Sequence, residues 1–311
     1  MSQAIRKPTA LDLASLLFLT FIWSSAFLAI KVAVPQTGPI WLATIRVLIG
    51  FVVLLPWMLY RGIILPKGMR NWSLLIFFSL INVTLPFLLI SWAELTISAG
   101  ITSLLLGSGP LLALVLAHFT TQDDKISWPK LLGIAFGFTG VALVVGGQAL
   151  DDVGDTALLS LLAVLAASFC YALSGALVRK ITDIPPTRLA TLVLGLCSIQ
   201  LLALAFHEGL PDFTRIDDKG WFSLIFLGLL PTGVATILRY RLINTIGASF
   251  FSLGLNLIPV FGIILGAIVL SETVPLEVWG ALALIVTGLF VSRIPTKGKA
   301  TQERKAGQAG L

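Results

Sequence analysis

The side chains that could do chemistry in this chain are polar groups set inside long apolar stretches. Arg46 stands between Trp41-Leu42-Ala43-Thr44-Ile45 and Val47-Leu48-Ile49, and Asn82 and Asn256 are each flanked by aliphatic residues. A guanidinium or amide removed from water is costly unless it faces protein or a wet cavity, so these groups should turn inward. Residues three or four apart share a helix face. Trp23 and Ser24 lie one turn before Phe27, Phe78 one turn before Asn82, Ser103 before Gly107, Tyr171 before Ser174, and Ser252 before Asn256. With Arg239 and Tyr240 they would line a cavity with aromatic walls and a few neutral hydrogen-bonding groups. That is the chemistry of reversible binding rather than of bond making. Arg46 or Arg239, near the ends of such a cavity, could hold a carboxylate through two parallel N–H donors, as Lys could not.

Each residue also has a plainer reading. Ser24, Ser103, Ser174 and Ser252 could bond their own backbone or a neighbouring helix. Trp23 and Tyr171 could be core packing, and the stem of Arg46 could carry its charge outward. Trp72, Trp221 and Trp279 read as interface anchors. The pairs Gly133/Gly137 and Gly262/Gly266 read as helix packing.

Enzyme motifs are missing: there is no P-loop, no zinc spacing, no pair of midspan acids and no nucleophile with a base beside it. The chain is therefore not expected to be an enzyme or to carry a metal or cofactor. Asp12 and Glu94, the nearest carboxylates to span interiors, fall close to span ends. Facilitated diffusion or exchange is the expected mode, with Glu94 the remaining route to proton coupling. Cys170 and Cys197 lie within apolar runs, where a structural disulfide is not expected.

The elements that must position these groups follow from composition. Of 311 residues, 57% are hydrophobic and 12% charged, and the mean hydropathy is +0.99. Soluble domains carry about twice that share of charge. Apolar runs lie near 11–33, 40–60, 72–92, 98–119, 129–147, 156–178, 188–206, 221–243, 247–270 and 276–293. About 20 residues cross a bilayer core, so the expected fold is all-α, a polytopic membrane protein of ten transmembrane helices. Of the 21 Lys and Arg residues, all but Lys31, Arg46, Arg215 and Lys219 then fall on one side, which by the positive-inside rule is the cytoplasm and holds both termini. The net charge of +6 thus reflects topology, and no nucleic-acid partner is expected. The partners expected are the lipid bilayer and a small-molecule substrate.

The chain also repeats itself. Trp72, Thr96, Ser103 and Pro110 recur in one register as Trp221, Thr245, Ser252 and Pro259, and with a slip of one residue Trp23 meets Tyr171 and Lys31 meets Arg179. Each copy holds five spans, an odd number, so the two must enter the membrane from opposite sides. Inverted repeats of this kind place a site near the bilayer midplane between the halves and work by alternating access. The divisions expected are 1–148 and 149–294 for the two five-helix repeats, and 295–311 for a disordered cytoplasmic tail.

Over residues 10–293 the chain resembles the EamA-type, ten-span branch of the drug/metabolite transporter superfamily. The resemblance rests on Trp23-Ser24-Ser25-Ala26-Phe27 with Lys31, on Arg46, on 99–110 and 248–259, and on Leu270-Ser271-Glu272-Thr273 followed by Trp279-Gly280-Ala281 and Thr287-Gly288. The first copy departs from the pattern by placing Asp123-Asp124 where the second has Glu272. The resemblance implies an inner-membrane secondary transporter, an exporter of amino acids, aromatic ones among them, or of similar small metabolites. A channel, or a carrier for another class of metabolite or drug, is the alternative. It also implies a cavity enclosed by spans one to four and six to nine, in a monomer or weak homodimer.

Overall fold

The computed structural model describes residue 6 and residues 8–120, 126–150, 154–181 and 184–294. Every regular element among them is helical. Eight helices are long and apolar enough to cross a membrane: Ala10–Thr37, Pro39–Arg61, Met69–Ala93, Ala99–Leu116, Trp128–Gly146, Thr156–Leu177, Pro186–Glu208 and Asp218–Ile246. Two shorter apolar helices, Ile258–Val269 and Leu276–Val291, complete spans nine and ten. The tail at 295–311 and the pair Asp123-Asp124 lie outside the described residues. Connections are tight. Gly38, at φ +74°, closes span one and opens span two, where Pro39 takes a first-turn position that needs no N–H.

The repeat is present in the irregularities as well as in the helices. Span four breaks at Gly107-Ser108 into Ala99–Leu106 and Gly109–Thr120, and span nine breaks at Asn256-Leu257 into Ala248–Leu255 and Ile258–Val269. Moving the first pair by the 149 residues from Ala99 to Ala248 superposes all four boundaries. The same shift carries the π-helical turn Leu80–Thr84 of span three into the π-helical turn Gly228–Val234 of span eight. Each of these turns is accompanied by a proline, Pro86 or Pro231. A missing N–H disturbs the regular ladder there, as expected where helices kink or bulge.

Packing follows the same exchange. Span one packs on span eight as span three packs on span six, while two with seven, four with nine, and five with ten form three further pairs. Spans five and ten make the most extensive contact. A Cβ on Gly133 would meet the Gly288 carbonyl, and one on Gly288 would meet the Gly133 carbonyl, so only glycine allows this approach. Gly137 lies against Leu111. The Gly133/Gly137 face therefore packs within the chain. Large apolar side chains such as Tyr60, Phe119 and Ile268 stand exposed on the outside, while Thr20, Ser24, Thr44, Ser103 and Thr191 are fully buried. That distribution suits a molecule whose outer solvent is lipid.

Candidate functional site

Span two starts at Pro39, so Arg46 sits seven residues, or about 10 Å, into the bundle. Its side chain is 7% exposed. Nε donates to Thr232 Oγ1 at 2.9 Å, and Thr232 in turn donates to the Leu227 carbonyl at 2.8 Å across the π-helical turn of span eight. The guanidinium carbon lies 3.9 Å from the ring centroid of Phe87 in span three. Span two can come this close because Gly228 lies against Ile49 and the Arg46 carbonyl, and Gly50 against Thr232. Of the five N–H donors of the guanidinium, only the one on Nε is engaged among the described residues. The four on the two Nη atoms are the fork that recognises a carboxylate.

Two short polar chains run from this centre. Trp23 Nε1 donates to the Pro231 carbonyl at 3.1 Å, beside Thr232, and its ring meets Phe251 edge-on at 6.2 Å. On the other side, Ser174 Oγ donates to Asn82 Oδ1 at 3.0 Å and contacts the Tyr171 carbonyl at 2.8 Å, joining span six to the π-helical turn of span three. Tyr171 is half-buried against the cluster that holds Phe27, Leu106 and Ile258, at the breaks of spans four and nine. Asn256 occupies the break in span nine. It is 6% exposed, and among the described residues neither its Nδ2 nor its Oδ1 has a hydrogen-bond partner.

Other sequence candidates make contacts within or between helices. Ser24 Oγ contacts the carbonyls of Thr20 at 2.8 Å and Ile258 at 3.1 Å, stitching span one to the break in span nine. Ser103 Oγ donates to the Gly100 carbonyl at 2.8 Å and packs against Gly262. Ser252 accepts from Arg293 Nη2 at 3.4 Å. Phe78 is buried among Val47, Val193 and Cys197. Arg239 is exposed, lies 5.8 Å from the ring of its neighbour Tyr240, and is not brought to the Arg46 group. The half-buried Tyr240 stays with it. The sequence reading missed Thr84 and Gln200. Gln200 Oε1 accepts from Thr84 Oγ1 at 2.7 Å, and its Nε2 donates to Ser79 Oγ at 2.9 Å. As an amide in an apolar run, Gln200 carried the same signal as the two asparagines.

Three charged side chains gather where span three turns into span four. Lys31 Nζ donates to the carbonyls of Glu94 at 2.7 Å and Ile97 at 2.8 Å, a cation at the C-terminus of span three and on the turn that follows it. The Glu272 carboxylate accepts from the backbone N–H groups of Ala99 at 2.8 Å and Gly100 at 3.1 Å, an anion on the opening N–H groups of the next. Between them Glu94 is completely buried, not wet as a span end would suggest, and among the described residues neither carboxylate oxygen has a hydrogen-bond partner.

Comparison with known proteins agrees with this architecture. The model of the "EamA-like transporter family" matches twice, over residues 12–146 and 158–294. The uncharacterized transporter YoaV of Bacillus subtilis (strain 168) is 26% identical over 277 residues, 88% of this chain and 93% of that protein. A second from the same organism, the uncharacterized transporter YvbV, is 27% identical over 314 residues, 100% of this chain and 98% of its own. A solved crystal structure with a TM-score of 0.62 and 20% identity covers 92% of this chain and 98% of its own, and shares the fold. With ten apolar spans, two matching copies and relatives described as transporters that match over nearly their whole length, the chain belongs to the EamA-like transporter family and is a multi-pass membrane transporter, not an enzyme.

Proposed function

We propose that the protein exports amino acids, or small metabolites built like them, across the inner membrane by alternating access, and that Arg46 holds the cargo's carboxylate. The observation that carries this reading is the state of the Arg46 guanidinium. It is nine-tenths buried, fixed by one bond to Thr232 and by the Phe87 ring, and has four donors unengaged among the described residues. A cation held in place with its fork unused is suited to a bidentate anion. Aromatic groups nearby, Phe87, Trp23 and Tyr171, favour an apolar or aromatic cargo side chain. The unpartnered amide of Asn256, at a helix break, offers a donor and an acceptor to cargo or water.

Alternating access is supported by the matched breaks and π-helical turns, which give each half the same irregular points about which to move. The Lys and Arg distribution supports both termini in the cytoplasm, and in that orientation the Lys31 and Glu272 contacts lie at the outer face. The test is a cargo screen in liposomes carrying the purified protein and loaded with unlabelled amino acids. A carrier gives saturable uptake of labelled amino acid stimulated by counterflow. Flux at channel rates without saturation sinks the reading.

A further inference from the structure

We infer that Glu94 is a proton-carrying site of the transporter, through which cargo movement is coupled to protons. Phe87, Ser91 and Glu94 are spaced by four and three residues and share one face of span three. That face begins at the ring that carries the Arg46 guanidinium. Seven residues further along, at about 10 Å, it ends on a carboxyl group that is 0% exposed. Among the described residues neither Glu94 oxygen has a hydrogen-bond partner, and the Ser91 hydroxyl one turn below is fully buried and equally without one. Buried carboxylates are normally paired or bonded to several N–H groups, because an ion removed from water without them is far more costly than the neutral acid.

The charged groups around it do not supply that pairing. Lys31 from span one, Glu272 from the connection between spans nine and ten, and Arg46 from span two face Glu94, with Tyr171 of span six beside Arg46. Lys31 directs its ammonium at two main-chain carbonyls, and Glu272 is occupied by two backbone N–H groups. No ion pair joins Glu94 to any of them among the described residues. The closed interior thus holds Glu94 as the acid. When the interior opens to water, the O–H bond breaks, the proton leaves to water on that side, and the electron pair stays on the carboxylate. Reclosing without cargo requires a proton to be taken up again, and reclosing with cargo proceeds without one, so proton and cargo cross in opposite directions, which is what exchange of a proton for cargo needs. A sodium ion is disfavoured at the same place, since it would sit beside the Lys31 ammonium, whereas a proton on the carboxyl needs no added room.

This rests on the transport reading but not on the cargo, and two measurements on the full-length protein in lipid separate the two. Infrared difference spectra recorded through a pH titration need no cargo. They should show a carboxylic acid band at neutral pH that Glu94→Gln abolishes and Glu94→Asp shifts. A spectrum in which Glu94→Gln removes no such band overturns the proposal. In liposomes at zero membrane potential, with labelled phenylalanine as probe, an acid interior of about one pH unit should support about tenfold accumulation at one proton per cargo. Glu94→Gln should bring that accumulation down to about onefold while labelled exchange remains measurable. Accumulation that survives a proton ionophore, follows a sodium gradient, or persists in Glu94→Gln contradicts it. If the acid band is present and no amino acid moves, the cargo assignment fails and the proton site stands.

Discussion

The guanidinium carbon of Arg46 lies 3.9 Å from the ring centroid of Phe87, while its Nε bonds Thr232 at 2.9 Å. One cation of span two thus joins span three of the first copy to span eight of the second. A ring face under a desolvated guanidinium contributes about 0.5–2 kcal/mol. Phe87→Leu removes the ring and keeps much of the volume, so it should weaken cargo affinity about threefold to tenfold. The concentration dependence of counterflow measures this, and thermal unfolding reads the ring's own contribution to stability.

The two asparagines should separate. Asn256 has two buried atoms without partners, so Asn256→Leu should be neutral for stability or raise it by up to ~1 kcal/mol while transport falls. Asn82 accepts from Ser174, so Asn82→Leu should cost about 1 kcal/mol. Thermal unfolding in detergent alongside counterflow checks both. If both variants fold and transport like the wild type, the asparagines do not serve cargo.

Glu272 accepts two N–H groups at the start of span four. Glu272→Ala leaves them without acceptors and should cost about 1–2 kcal/mol, on the scale of a lost helix cap. Glu272→Gln keeps one good acceptor and should cost less. Melting temperatures in that order support the cap, and equal ones contradict it.

Glycine contacts give a steric control. A Cβ on Gly288 would strike the Gly133 carbonyl, so Gly288→Ala should destabilise by about 1–3 kcal/mol. A Cβ on Gly146 would meet nothing within 4 Å. Gly146→Ala should stabilise by about 0.5–1 kcal/mol through helix propensity. The same thermal assay reads both.

Between spans seven and eight, the Gly220 N–H donates to Asp217 at 2.7 Å and Gln36 adds a second bond at 3.1 Å, together holding this carboxyl below its ordinary range. A depressed acid stabilises the fold above its unfolded pKa and loses that contribution as pH falls through the folded one. Asp217→Asn should therefore flatten the fall in stability below about pH 4 and leave the neutral-pH slope unchanged. Melting curves across pH decide it.

Much of this was legible because helices in lipid leave few options. The ten spans follow from apolar length, and the recurrence of Trp72, Thr96 and Pro110 marked a repeat that the helix breaks match at every boundary. Arg46 was legible because a cation so far inside an apolar run must find a partner. Glu94 was legible as a route to proton coupling, but its burial was not, since nearness to a span end in sequence says nothing of what packs over that end. Here the turn at 94–98 is covered by Lys31 and by the span nine–ten connection. Ser24, Ser103 and Ser174 could be read either way, because a hydroxyl bonds a helix carbonyl as readily as a ligand, and the tertiary contact decides.

The most direct test of the account is counterflow in liposomes with wild-type protein and Arg46→Lys, comparing an amino acid with the amine that lacks its carboxylate. Lysine keeps the charge and loses the fork. The account predicts saturable exchange of the amino acid, little exchange of the amine, and about tenfold or greater loss in Arg46→Lys. Equal exchange of the two compounds, or wild-type exchange by Arg46→Lys, would contradict it.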